Sequence, residues 1–212
     1  MPGESKVVTK KYNRQAKIRK LAYQKSFKKF GVDVRALQWT SKKAQEKRFN
    51  ELVADIDFET KHILDIGCGF GDIIPFIEAK TRSFNYTGCD LVPEFIEVAK
   101  GKYPNRKFTV ADYFGNPFET KYDIVLTSGT LNANIINPYE YRYGAIRTMF
   151  SHTKELIAFN MAGGQPEPKN KQGNRVYYAD LNKIVDFCKT LANNIKVRKD
   201  YSPNDFTVIM FK

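Results

Sequence analysis

The sequence has little of what would build a metal or disulfide framework: two histidines, His62 and His152, and three cysteines, Cys68, Cys89 and Cys188, in 212 residues. With no CxxC pair and no His/Cys cluster, a protein-bound zinc site is not expected. An odd number of widely separated cysteines, two of them inside apolar runs, reads as buried structural thiols in a reducing compartment. No stretch approaches the roughly 18 apolar residues that a spanning helix needs. The lysine-rich N-terminus also lacks the apolar core of a secretory signal. A cytoplasmic protein with no membrane association is therefore expected. Acids are nearly missing from one end: residues 1–30 hold Glu4 alone against ten Lys/Arg, so they supply +9 of the net +12. Such a block either repels itself or lies along a polyanion. Nucleic-acid contact through residues 1–30 is one expectation and a solubilising tail is the other, since no base-reading motif accompanies the charge.

At 42% hydrophobic residues the chain can bury one substantial core. The expected division is a basic extension over 1–30, disordered or helical, followed by one domain over 31–212. Tyr23, Phe27 and Phe30 have i, i+4, i+7 spacing, which would make the second half of the extension a basic amphipathic helix ending at Gly31. Ser41 is an N-cap for a helix presenting Ala44, Phe49, Leu52 and Val53 on one face.

Beyond it, short β-rich runs alternate with helical segments. Strands are expected at 62–66, 85–89, 107–111, 122–127 and 156–159. The helices between them begin near Ile73 and Pro93 and cover about 138–151 and 180–192. That order predicts a parallel sheet with right-handed crossovers and helices on both faces. The last two runs, 195–198 and 206–211, are joined by a link too short for a crossover helix and must pair antiparallel. The expected fold class is α/β, a Rossmann-like three-layer sandwich with a seven-stranded, mostly parallel sheet and a C-terminal antiparallel hairpin. Met161 to Arg175, rich in Gly, Pro, Asn, Gln and Lys, reads as a long loop of the kind that is functional or disordered.

The turn after the first strand, Asp65-Ile-Gly-Cys-Gly-Phe-Gly71, carries the most chemistry. Gly67, Gly69 and Gly71 alternate, so the backbone can pass close to a ligand. A dinucleotide-binding turn would run GxGxxG and place pyrophosphate at the helix start. Here the third glycine comes one residue early and Asp72 stands in its place, where a carboxylate would oppose a pyrophosphate. A cationic ligand without phosphate suits the turn better.

The segment Ile63 to Asp72 resembles motif I of the class I S-adenosylmethionine-dependent methyltransferases, and the likeness extends from about Trp39 to the C-terminus. It implies S-adenosylmethionine as cofactor and a methyltransferase activity. Asp90, ending the second strand beside Leu91, matches the position that binds the ribose hydroxyls. Asp112, ending the third, matches the position that meets the adenine amino group, with Tyr113 able to cover the ring. The expected cofactor set is therefore Asp65, Gly67, Cys68, Gly69, Gly71, Asp72, Asp90, Leu91, Asp112, Tyr113 and Ser128. Arg48 joins it as a donor to the methionine carboxylate and Trp39 as a cover for the methionine end or the adenine.

Within the superfamily the chain resembles small stand-alone methyltransferases of largely unassigned substrate, through Trp39, Gln45, Arg48 and Phe49, Ser128-Gly129, Phe159-Asn160, and Asp200 to Val208. The Asn/Asp-Pro-Pro-Tyr/Phe motif of enzymes that methylate base amines is missing from Thr127–Asn132, and no Pro-Cys occurs for a cysteine route to pyrimidine carbon. In-line displacement at a sulfonium depends mainly on positioning, so no strong base need be visible. Ser128, Asn132, Asn160 and Tyr178 are the candidate catalytic residues, with Thr127, Tyr177, Tyr201 and Asp205 around them. A small-molecule acceptor is expected ahead of RNA or an RNA-bound protein. A non-catalytic cofactor-binding protein is a further alternative, and intact Asp65, Asp90 and Asp112 argue against it.

Overall fold

The computed structural model describes residues 3–164 and 174–212, with side chains from Gln15 onward. Eight strands form one sheet: β1 (His62–Ile66), β2 (Asn85–Asp90), β3 (Lys107–Val110), β4 (Tyr122–Ser128), β5 (Thr153–Gly164), β6 (Ala179–Asp180), β7 (Asn194–Arg198) and β8 (Asp205–Phe211). Their order is β3-β2-β1-β4-β5-β8-β7, with β6 paired to the end of β5. The first five are mutually parallel, and β8 runs antiparallel between β5 and β7. The final hairpin arises because residues 199–204 cannot carry a crossover.

The central strands are apolar on both faces, as strands covered by helices on either side must be. Leu64, Ile66, Val125, Ile157, Phe159, Val208 and Met210 enter one core layer with α5 (Pro138–His152) and α6 (Leu181–Lys189). Their sequence neighbours Ile63, Ile124, Leu126, Ala158 and Ile209 enter the other, under α2 (Lys42–Val53) and α3 (Ile74–Glu78). This period-two division makes three layers. Ser41 caps α2 by accepting from the Ala44 amide at 3.1 Å.

The sheet has one strand more than expected. β6 is two residues long, too short to leave a hydrophobic pattern, and it forms because Gly163 lets the neighbouring backbone in: a Cβ there would lie 2.1 Å from the Ala179 carbonyl oxygen. Of the long loop expected over 161–175, residues 161–164 instead extend β5, while 165–173 lie outside the described residues.

The N-terminal extension takes the helical alternative, as one helix, α1 (Gly3–Phe30), that reaches beyond the second half and is ended by Gly31 at φ +63°. Tyr23, Phe27 and Phe30 pack with Leu37 onto a small cluster of Ala36, Phe70, Val92 and Phe95. Among the described residues, no helix is long and apolar enough to cross a membrane.

Candidate active site

Strand order reverses between β1 and β4, and the crevice at the carboxyl ends of strands flanking such a switch is where open α/β sheets bind ligands. The turn from Asp65 to Gly71 lies there. Gly67 and Cys68 both donate to the Cys89 carbonyl, at 2.7 and 3.0 Å, which ties the turn to β2. Gly67 has φ +74°, and a Cβ would strike Thr130 Oγ1 at 2.1 Å, so that position admits only glycine. Leu37 packs on Gly69 from outside. Cys68 is buried; its sulfur occupies the space where a side chain at Gly88 would sit, which makes it a packing thiol.

Two carboxylates stand behind this turn without a cationic partner among the described residues. Asp65 is buried and accepts from Tyr86 Oη at 2.7 Å; burial pushes its pKa up to about 7. Asp90 accepts from the amides of Gly69 and Val92, each at 3.0 Å, and burial raises its pKa to about 6 despite them. Both therefore sit where negative charge is costly and uncompensated. Asp72 is different: Lys102 pairs with it and Gln45 donates to it at 3.3 Å, so it links the turn to α2 and to α4 (Pro93–Lys102). Its charge is spent on structure, which removes the argument that it repels a pyrophosphate.

Asp112 receives the Gly115 amide at 3.2 Å and borders two cavities. The larger, about 310 Å³, is lined by Leu91, Val110, Ala111 and Asp112 from the strand ends and by Ala16, Lys17 and Lys20 of α1. The smaller, about 150 Å³, adds Arg19, Phe114 and Tyr141. Tyr113 does not face them. The chain turns directly after Asp112, closed by the Asn116 amide donating to the Asp112 carbonyl at 2.9 Å, and the Tyr113 ring packs in the core against Phe118 and His152. Phe114 takes the cleft side instead.

Helix α1 crosses this edge. Phe27 meets Phe70 and Phe95, Tyr23 meets Phe95, Gln24 donates to Glu94 at 2.8 Å, and Arg19 donates to Tyr141 Oη at 3.1 Å. Among the described residues, Gln15 Oε1 and Arg19 Nε are buried without a partner. Ala16, Lys17, Arg19 and Lys20 of α1 line the two cavities, a placement that the sequence reading of the block as a basic amphipathic helix did not make. The one available signal was the Tyr23, Phe27, Phe30 spacing.

On the other side of the turn, Trp39 lies over the Arg48 guanidinium at 5.0 Å and beside Gly129. Arg48 is ion-paired to Asp205, which also accepts from Ser202 Oγ at 2.8 Å. This pairing departs from the expectation that Arg48 keeps its charge for a carboxylate ligand. Asn160 is buried and saturated: its Oδ1 accepts from Ser128 Oγ at 3.0 Å and the Gly129 amide at 3.2 Å, and its Nδ2 donates to the Arg48 carbonyl at 3.2 Å. Asn132 accepts from the Ala162 amide at 2.7 Å, and Thr127 donates to the Ile66 carbonyl at 2.7 Å. Tyr201 Oη meets Thr207 Oγ1 at 3.0 Å. Of the four candidate catalytic residues, Asn132 and Asn160 thus hold backbone, Ser128 stands at the end of β4 and bonds Asn160, and Tyr178 is half-buried just before β6.

Comparison with known proteins follows the same geometry. A family model described as a methyltransferase domain matches residues 63–155, which run from β1 to the start of β5. A Mycobacterium tuberculosis protein carrying a methyltransferase name, Rv1506c, is 23% identical over 156 residues, covering 71% of this chain and 92% of that one. The malonyl-[acyl-carrier protein] O-methyltransferase of Acetivibrio thermocellus is 30% identical over 93 residues, 42% of this chain and 33% of that enzyme. Among solved structures, magnesium protoporphyrin IX methyltransferase from Synechocystis, with bound SAH, superposes with a TM-score of 0.59 at 17% identity, covering 79% of this chain and 81% of that one.

Proposed function

We propose that the chain is a class I S-adenosylmethionine-dependent methyltransferase, as its methyltransferase-domain match and its fold support, and that it transfers the methyl group in line to a nucleophilic atom of a small molecule. The observation that carries the cofactor reading is the pair of buried carboxylates, Asp65 and Asp90, without a cationic partner beside a glycine turn. A ligand bearing an ammonium and a sulfonium offsets that charge. The cavity of about 310 Å³ between Asp112 and Leu91 fits an adenine in kind, with a carboxylate for its amino group and apolar walls for its ring. When bound, the cofactor supplies an electrophilic methyl group.

The protein's own work is positioning. Asp90, oriented by the Gly69 and Val92 amides, presents its remaining lone pairs to the ribose hydroxyls. Asp112 meets the adenine edge, and the bare backbone of Gly67 and Gly69 lets the ligand approach. Ser128 and Trp39 flank the methionine end, where Asn160 fixes the turn they depend on.

The small-molecule reading rests on that end. Arg48 and Asp205 neutralise each other, so that end carries no net field selecting a charged polymer. The two similar proteins whose names include an acceptor name a malonyl group on a carrier and magnesium protoporphyrin IX. RNA is the second reading, favoured by the exposed lysines of α1. Titration calorimetry tests the cofactor: saturable binding of S-adenosylhomocysteine, weakened at least a hundredfold by Asp90→Ala, is expected, and absence of heat refutes it. Tritiated methyl transfer into fractionated lysate tests the acceptor. Counts in the small-molecule pool support this reading, and counts in RNA replace it with the second.

A further inference from the structure

Helix α1 has two faces that do different things. Its inner face roofs the larger cavity with Ala16, Lys17 and Lys20, anchors on Phe70 and Phe95 through Phe27, and bonds Tyr141 through Arg19. Tyr23 lies close enough to Asp90 for that carboxylate, after burial, to raise its phenol pKa to about 12. A ligand seated between Leu91 and Asp112 would lie against this helix, so the docked helix adds contacts to the bound ligand. The outer face holds Lys25, Lys28 and Lys29, all exposed. Lys25, Lys28 and Lys29 stand at i, i+3, i+4, so their charges crowd one stripe, and residues 15–30 contain no acid to relieve them.

Like charges at that spacing oppose helix formation, and an isolated helix of this kind is marginal. Only the helical form carries Arg19, Tyr23 and Phe27 together onto the cleft. Anything that neutralises the outer stripe therefore favours the helix, and with it the closed roof. We propose that α1 is a lid whose outer lysine stripe binds the phosphate backbone of RNA, so that RNA and the cofactor hold the lid shut together and each tightens the other's binding. The proposal rests on the cofactor reading above and is independent of which acceptor is methylated.

RNA is favoured over an anionic membrane for a structural reason. An interfacial helix inserts its apolar face into lipid, and here that face is spent on Phe70 and Phe95. Ile18 and Leu21, each 58% exposed, are the large apolar residues of α1 left outside among the described side chains. A phosphate backbone needs only the charges.

The test is calorimetric titration of S-adenosylhomocysteine into the full chain, with and without a single-stranded RNA 20-mer. Linkage requires the affinity to rise with RNA, by about fivefold or more for a coupling of ordinary size. The variant K25Q/K28Q/K29Q removes the repulsion itself. It should bind S-adenosylhomocysteine without RNA at least as tightly as the parent, gain nothing from RNA, and lose about 2 from the slope of log affinity for RNA against log salt. Phe27→Ala, which unseats the lid, should still bind RNA but bind S-adenosylhomocysteine more weakly and equally with or without it. An affinity unchanged by RNA, or lowered because RNA peels the helix away, overturns the coupling. So does tightening by phosphatidylserine vesicles and not by RNA. Absence of any S-adenosylhomocysteine heat overturns the cofactor reading instead, and this proposal with it.

Discussion

Asp65 offers a test in which stability and binding move in opposite directions. Its carboxyl is enclosed, accepts a hydrogen bond from Tyr86 and meets no cation among the described residues, and burial raises its pKa from 3.8 to about 7. An acid whose pKa is raised on folding takes up protons as the chain folds, so its contribution to stability falls as pH rises from about 4 to 7. Above pH 7 the unliganded protein holds a buried charge. The gap between 3.8 and about 7, at 1.36 kcal/mol per pH unit, caps the cost at about 4 kcal/mol, and relaxation around the charge brings it to about 2–3 kcal/mol.

Asp65→Asn keeps the shape and an oxygen for Tyr86 while abolishing the charge. Its amide must also be desolvated, but that cost is the same at every pH, so the comparison between two pH values isolates the charge. Scanning calorimetry without ligand should show the variant gaining about 4–10 °C on the parent between pH 5 and pH 8, using the usual conversion for a chain of this size. Over the same interval S-adenosylmethionine affinity at pH 8 should be lower than the parent's by tenfold or more, because the carboxylate that favours a cationic ligand is gone. A difference in melting temperature that does not change with pH, or undiminished affinity, would refute the assignment of Asp65 as an uncompensated charge kept for binding.

For the parent protein, S-adenosylmethionine affinity should rise between pH 5.5 and 7.5 and then level, since Asp90 and Asp65 ionise near 6 and 7 and a cation favours the ionised forms; a flat calorimetric profile would contradict this. Gly163→Ala places a Cβ 2.1 Å from the Ala179 carbonyl at φ +156°, which should break the β5–β6 pairing and cost about 2–4 kcal/mol in urea unfolding. Asn160→Ala leaves the Ser128 hydroxyl, the Gly129 amide and the Arg48 carbonyl without their partner. It should cost about 1–3 kcal/mol of stability along with turnover, whereas a purely catalytic Asn160 would lose turnover alone.

The parallel sheet, the antiparallel end and the cofactor turn were legible because each depends on short-range chemistry. Alternating apolar runs determine strand faces, a six-residue link determines an antiparallel return, and glycines one residue apart determine a left-handed turn. β6 was invisible because its cause is a single missing Cβ on another strand. Tyr113 was misplaced for a similar reason: spacing put it beside the adenine position, but the turn that follows Asp112 carries its ring inward and brings Phe114 to the cleft. Arg48 and Asp205 are separated by 157 residues, and no local pattern announces that one spends the other's charge. Lys102 and Asp72 are a second such pair, and they convert a residue expected to choose the ligand into one that braces α4 against the turn.

The N-terminal block shows why charge counting alone misleads. Ten basic residues in thirty suggest a chain too repulsive to settle on a body that is itself positive. Yet a helix separates its surfaces every 3.6 residues, so lysines that dominate the composition need not dominate the contact. Tyr23, Phe27 and Phe30 reach Phe70 and Phe95 while Lys25, Lys28 and Lys29 face water. The repulsion then becomes a property of the outer stripe, and it opposes the docking that the aromatic face favours. Two opposed contributions on one element make its position respond to whatever binds either face. That is the physical condition for linkage between the cofactor beneath the helix and a polyanion above it.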